Sequence, residues 1–318
     1  MNTIYTCRIC NHTGNARSYL VREMMFGSRD PFVYFQCQRC QCLQIAEIPS
    51  DSDTYYPQDY YSFSETSRDR NRTSAVRWFR RVRNYYSVCN RGILGQVFSR
   101  LFPNRKLTSL AKVSLNPESR ILDVGCGSGW RLYALREAGF INTLGIDPFI
   151  KNDIVHENGL RILKRTVLEM DGFWDLVMYH HSFEHIPEQA ATLRATARLL
   201  RPGGVSLIRI PTVSSYAWEE YREHWYQIDA PRHYYLHSVD SMRLLAEQCG
   251  LALQEVVYDS TIDQFRASEM YKMGVQSVQE AGFSKAQVRE WKRRAKDLNR
   301  DGKGDQAIFY LVASGNPQ

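Results

Sequence analysis

The run Leu-Asp-Val-Gly-Cys-Gly-Ser-Gly at 122–129, followed by Gly145-Ile146-Asp147, holds the residues best suited to chemistry in this 318-residue chain. Gly125, Gly127 and Gly129 let the backbone turn sharply and approach a ligand closely. Asp147 closes the next strand, where nucleotide-type α/β folds place an acid against a ribose diol. The spacing Gly-x-Gly-x-Gly is one residue shorter than the dinucleotide fingerprint, and Asp123 precedes it. A carboxylate there repels a pyrophosphate and suits a ligand carrying an ammonium or sulfonium group.

Two other groups carry chemistry. Cys7-x-x-Cys10 and Cys37-x-x-Cys40 form two knuckles about 26 residues apart. Together they predict a tetrahedral sulfur cage suited to zinc, structural because four thiolates leave no position open. Cys42 is an alternative to Cys40 with poorer knuckle spacing. Cys89, Cys126 and Cys249 stand alone. Histidines gather at 180, 181 and 185, and again at 224 and 233. A hydroxyl that attacks an electrophilic centre must lose its proton, and histidine is the usual side chain to take it near neutral pH. The candidates for base are His181 and His233, then His185, with Glu184 to orient a histidine.

The elements that must position these residues follow from periodicity. Apolar runs at 121–124, 142–146, 173–177 and 205–210 read as strands, with a helix from about 130 between the first two. Strands near 251–258 and 307–312 enclose about 45 residues that read as helices near 264–279 and 284–298. That insertion is expected to cap a substrate pocket, with Gln264, Ser268, Glu269 and Tyr271 as contacts. Between the cysteine knuckles, 19–25 and 32–35 read as short strands. A domain of that size has too small a core to fold unaided, so metal should supply much of its stability. The expected organisation is a zinc ribbon over 1–50, a tyrosine-rich tract and basic connector over 51–110, and a catalytic domain over 111–318 with its insertion at about 260–304.

The net charge of +7 is local. Between Arg68 and Lys106 there are eleven Lys or Arg and one acid, Asp69, with Trp78, Phe79, Val82 and Tyr85 at helical spacing. This predicts a basic amphipathic helix, suited to packing as a connector, to an anionic membrane surface or to an anionic substrate. No recognised module for reading nucleic acid accompanies it. No apolar run approaches the ~20 residues needed to span a bilayer. The polar N-terminus lacks an apolar export segment, so the expected location is the cytoplasm, where the eight cysteines stay reduced.

The 122–129 run resembles motif I of class I S-adenosylmethionine (SAM)-dependent methyltransferases. Phe173-Trp174-Asp175-Leu176-Val177, His181-Ser182-Phe183-Glu184-His185-Ile186 and Leu199-Leu200-Arg201-Pro202-Gly203-Gly204 resemble, in order, that family's fourth strand, following loop and turn before the fifth strand. The resemblance covers about 120–258 plus a final strand. It implies a Rossmann-like α/β sheet, mostly parallel, with an antiparallel seventh strand. It also implies a SAM site formed by Asp123, Gly125, Cys126, Gly127, Gly129, Asp147, Pro148, Leu168, Tyr179 and His180. A cysteine ribbon followed by Tyr55-Tyr56-Pro57-Gln58-Asp59-Tyr60-Tyr61 is similar to sugar methyltransferases of polysaccharide and deoxysugar gene clusters. The implied acceptor is a sugar hydroxyl on a free, nucleotide-linked or lipid-linked glycan precursor. RNA methylation and sugar C-methylation stand as alternatives. The nitrogen-methylating Asp/Asn-Pro-Pro-Tyr signature is absent after the fourth strand, and no second constellation of acids suggests a magnesium mechanism.

Overall fold

The computed structural model describes residues 3–50, 52–55, 73–104, 106–275 and 277–314. The tyrosine tract beyond Tyr55 and the basic residues at 68–72 lie outside this set. The chain divides into two compact units. The first holds Met1–Pro57, Phe183–Ala190 and Arg209–Ser314; the second holds Gln58–Ser182, Ala191–Ile208 and Gly315–Gln318.

The chain opens in the first unit with β1 (Thr3–Thr6), β2 (Thr13–Arg22), β3 (Pro31–Gln36) and β4 (Leu43–Ile45), all antiparallel. Tyr19 and Val21 of β2 are buried on either side of exposed Leu20, the period-two alternation of a half-buried strand. Both cysteine knuckles precede a left-handed residue, Asn11 (φ 55°) and Gln41 (φ 60°), whose N–H donates to the carbonyl of the first cysteine.

The second unit begins with two helices, α1 (Ser74–Cys89) and α2 (Ile93–Leu101). Periodicity predicted α1 but not α2, which Gly92 and Gly95 disguise as a loop. Next come β5 (Ile121–Val124), α3 (Trp130–Glu137), β6 (Thr143–Ile146), β7 (Ile154–Val155), β8 (Arg161–Leu163), β9 (Trp174–His180), α4 (Gln189–Leu199) and β10 (Leu200–Pro211). Their strand order is β10-β9-β5-β6-β8-β7. β9, β5, β6 and β8 run parallel, and β7 is antiparallel to β8. Every residue of β5 and β9 is buried, as parallel strands covered on both faces require. This is the Rossmann-like arrangement, with the carboxyl ends of β5 and β6 side by side.

The first unit resumes with α5 (Tyr216–Tyr221), β11 (Tyr235–Leu236), α6 (Val239–Gln248), β12 (Leu251–Tyr258), α7 (Asp263–Met273), α8 (Val278–Ala281), α9 (Lys285–Arg300) and β13 (Gln306–Ala313). β12 and β13 form an antiparallel hairpin, so the sheet is mixed. The insertion is three helices rather than two, because left-handed Gly274 (φ 74°) ends α7. Its side chains tie the unit together: Ser268 Oγ accepts from Tyr226 N–H at 3.2 Å, and Glu269 accepts from the Tyr221 hydroxyl at 3.0 Å. Gln264 is buried and donates to Thr261 O. β11 pairs antiparallel with β4 (Leu236 opposite Leu43), adding a fifth strand to the ribbon sheet. No helix among the described residues is long and apolar enough to cross a membrane.

Candidate functional site

In the second unit, β5 runs into a loop whose three glycines are all left-handed, Gly125 at φ 68°, Gly127 at 56° and Gly129 at 75°. Two of them also lack room for a side chain. A Cβ on Gly125 would lie 2.4 Å from Ser182 Cβ, and one on Gly129 would lie 2.4 Å from Ile162 Cδ1. Gly125 N–H donates to Ile146 O at 2.8 Å. Gly127 N–H donates to Asp147 Oδ2 at 2.8 Å, and Phe149 N–H to Oδ1 at 2.9 Å. Asp147 thus holds the loop and keeps a further lone pair on each oxygen for a ligand diol.

Asp123 is 1% exposed. Its Oδ2 lies 3.5 Å from Arg131 Nη1, whereas Oδ1 has no hydrogen-bond partner among the described residues. Burial pushes Asp123 up to about 6, with Arg131 acting against the shift. A buried carboxylate oxygen lacking a donor is stabilised by a cationic group brought beside it. The cradle therefore fits SAM, which carries a ribose diol and an ammonium. Asp147→Ala should weaken SAM binding about 10- to 100-fold, the range for losing charged hydrogen bonds. Calorimetric titration checks this, and an unchanged affinity would remove Asp147 from the cofactor site.

The other residues assigned to the cofactor lie in varied settings. Cys126 Sγ packs where a Cβ on Gly145 would fall, 2.5 Å away. Pro148 is half-buried, and Leu168 is 52% exposed on the short turn Val167–Glu169. Tyr179 is fully buried, its hydroxyl bonded to Thr196 Oγ1 at 2.6 Å. His180 ends β9 in a buried position, and His181 follows with a left-handed backbone (φ 54°). Ser182 Oγ donates to Val124 O at 2.7 Å, clamping this turn to the end of β5.

In the first unit, the turn Phe183–His185 and the segment before β11 bring Glu184, His185 and His233 together, with one ligand-type atom of each within 4.8 Å of the others. His233 Nδ1 faces Gln227 O at 2.8 Å, and His185 Nδ1 faces Arg232 O at 2.9 Å. A carbonyl only accepts, so both Nδ1 atoms carry the proton and both Nε2 atoms are the basic nitrogens. His233 Nε2 lies 3.8 Å from Glu184 Oε1 and 3.7 Å from Asp229 Oδ2. Burial drives Asp229 up, but hydrogen bonds from Arg232 and the nearby His233 prevail and hold it below the usual carboxylate range. Burial, reinforced by His233, drives His185 down to about 4.

These two histidines are thus unequal. Burial outweighs the nearby Glu184 and Asp229 carboxylates at His185, whereas His233 presents its Nε2 to both carboxylates at 3.8 and 3.7 Å. Behind them, Arg232 is 1% exposed and bonds Asp229 and Glu23. Sequence reasoning missed Asp229, Arg232, Glu23 and Gln227. Asp229 stands four residues before His233 and was within reach of inspection; Glu23, at the far end of the ribbon, was not.

The four knuckle cysteines are buried, and their sulfurs all lie within 4.8 Å of one another. Cys7 Sγ lies 3.5 Å from Cys40 Sγ, and Cys10 Sγ 3.5 Å from Cys37 Sγ. A tetrahedral zinc with Zn–S bonds of ~2.3 Å has S–S edges of about 3.8 Å. Gln44 Nε2–H donates to Cys7 Sγ at 2.8 Å, as a thiolate requires. Cys42 Sγ instead points to Leu43 O. Beside Cys37 lies an open cavity of about 640 Å³, lined by Arg17, Gln36, Gln38, Arg222 and Lys303 among others. Arg17 stacks over Tyr19 and Arg222 over Trp218, with Glu219 the sole acid in the lining.

The family described as "Methyltransferase domain" matches residues 93–256. A ubiquinone biosynthesis O-methyltransferase of Bordetella avium (strain 197N) is 35% identical over 96 residues, 27% of this chain and 39% of that protein. Phosphoethanolamine N-methyltransferase 1 of Arabidopsis thaliana is 26% identical over 168 residues, 48% of this chain and 32% of its own length. The chain spans 39–43% of the length of the first curated relatives it matches. Among solved structures, a methyltransferase in complex with a Haloferax volcanii methyltransferase activator aligns over 74% of this chain and 98% of its own, at 17% identity and a TM-score of 0.46.

Proposed function

The chain belongs to the methyltransferase-domain family, and on that premise we propose that it transfers the methyl group of SAM to a hydroxyl of a sugar or glycan precursor, with His233 taking the proton. The observation that carries this reading is a buried His233, fixed as the Nδ1–H tautomer by Gln227, with two carboxylates within 4 Å of its basic Nε2. Such a group suits an oxygen acceptor, which must shed a proton as its new bond forms. Bound in the glycine cradle, SAM supplies a methyl carbon made electrophilic by the adjoining sulfonium.

Each residue then has a defined task. Asp147 holds the ribose hydroxyls, and the Asp123 carboxylate balances the ammonium. His233 Nε2 accepts the hydroxyl proton, and Glu184 and Asp229 stabilise the imidazolium. Arg232 keeps Asp229 ionised and in place. Gly125 and Gly129 keep the cradle open at points where any side chain would collide. The four cysteines hold a structural zinc that keeps the ribbon sheet, and with it β11, in register.

The sugar assignment draws support from the resemblance of the ribbon and tyrosine tract to sugar methyltransferases. The cavity adds a polar surface in which Arg17 and Arg222 suit a phosphoryl group on the acceptor, while Lys303 is paired with Glu219 at 3.3 Å. Several relatives are named for O-methyl transfer, which agrees with a hydroxyl nucleophile. A panel assay with methyl-labelled SAM tests the reading. Label should enter nucleotide-linked or lipid-linked sugars in preference to RNA and to a hydroxylated quinone. Label confined to RNA or to the quinone would overturn the sugar acceptor.

A further inference from the structure

Helices α1 and α2 form a hairpin whose outer face is apolar and uncovered. Gly95 lies on the inner side of α2; a Cβ there would meet Tyr86 Cβ at 2.5 Å and Val82 O at 2.8 Å. Phe98 packs on Phe79, with ring centroids 4.6 Å apart. At 100° per residue Ile93, Val97, Leu101 and Leu94 fall in one wedge about 100° wide, on the side of α2 away from Gly95 and bordered by Phe98. They are 82%, 56%, 45% and 66% exposed, and Trp78 of α1 is 53% exposed. A soluble helix normally keeps such a stripe against its core.

The charge around the stripe is one-sided. From Ser74 to Lys106 the chain has no Asp or Glu. Arg77, Arg81, Arg91 and Arg100 of this hairpin are all exposed. An uncovered aliphatic stripe, an exposed tryptophan and flanking arginines without acids are the features of a helix that lies in a membrane interface.

We propose that the α1–α2 hairpin docks on an anionic lipid bilayer, seating Ile93, Leu94, Val97 and Leu101 at the acyl boundary and the arginines among the headgroups. RNA would satisfy the arginines but gains nothing from the aliphatic stripe. A second copy of the chain paired symmetrically through this face would set its arginines against their own kind. The proposal stands independently of the acceptor. If the acceptor is lipid-linked, docking places the enzyme where that acceptor resides.

The test uses the full chain with vesicles of phosphatidylcholine alone and of phosphatidylcholine mixed with phosphatidylglycerol. Cosedimentation should show at least about tenfold tighter binding to the mixed vesicles, weakening with salt. Leu94→Ser/Leu101→Ser should lose about tenfold or more on the mixed vesicles, and Arg77→Gln/Arg81→Gln/Arg91→Gln should do likewise. Unchanged SAM affinity would show that both variants remain folded. Brominated lipid should quench tryptophan emission in the wild type and much less in Trp78→Phe. Failure of the wild type to bind either vesicle overturns the proposal. So does binding that survives both sets of substitutions. RNA binding, or self-association lost in the leucine variant, each without vesicle binding, would assign the face to another partner and also overturn it.

Discussion

His233→Asn lowers kcat by about 10²–10⁴ while leaving SAM affinity within about twofold of wild type, the usual range for loss of a positioned general base. Asparagine is chosen because its amide can still donate to Gln227 O, the bond that His233 Nδ1 makes at 2.8 Å. It cannot accept a proton at neutral pH. The loss corresponds to about 3–5.5 kcal/mol of transition-state stabilisation. SAM affinity should hold because Asp123, Asp147 and the three glycines belong to the second unit. His185→Asn is the control. Burial already holds His185 at about 4, so this substitution should cost less than about tenfold in kcat. Steady-state kinetics with a saturating acceptor would measure both. Equal losses at the two positions, or a larger loss at His185, would move the base away from His233.

Cys37→Ser removes the zinc, lowers Tm by roughly 6–20 °C and reduces kcat, while SAM still binds. The sulfur cage joins the two knuckles of a sheet of short strands, so the metal carries much of the ribbon's folding energy. Losing about 3–5 kcal/mol in a unit of this size shifts Tm by roughly 2–4 °C per kcal/mol. The effect should reach the chemistry because the ribbon continues into the His233 segment. Ile45 N–H donates to Tyr234 O at 3.1 Å, and the Tyr34 hydroxyl donates to His233 O at 2.9 Å. A loosened ribbon therefore loosens the base. Elemental analysis of the wild type should find one zinc per chain, and a chelator strong enough to strip it should reproduce the serine phenotype. A metal-free wild type, or a serine variant as stable as its parent, would contradict the assignment.

The second unit was the more legible from sequence. Its strands are short apolar runs bounded by glycine, and the loop at 125–129 needs three left-handed residues that only glycine adopts without strain. The β12–β13 hairpin was also readable, since both strands are long and apolar. Non-local pairings were not. β11 is two residues long and finds its partner, β4, about 190 positions earlier, beyond the reach of periodicity. Helix α2 hid behind Gly92 and Gly95, because a glycine that permits close helix packing looks like a glycine that breaks a helix. The histidines were visible as candidates, but nothing in their spacing ranked them. The ranking came from burial at His185 and from two carboxylates at His233, one of them Asp229, held by an arginine that also bonds Glu23.

The most direct measurement is the atom on which the transferred methyl comes to rest. Carbon-13 methyl-labelled SAM, incubated with the enzyme and the acceptor that the panel selects, gives a product whose methyl resonance reports its bonding partner. An oxygen-bound methyl on the sugar, formed by the wild type and nearly lost in His233→Asn, is the expected result. A methyl on carbon or nitrogen, or an oxygen-bound methyl formed at the wild-type rate by His233→Asn, would contradict hydroxyl methylation through His233.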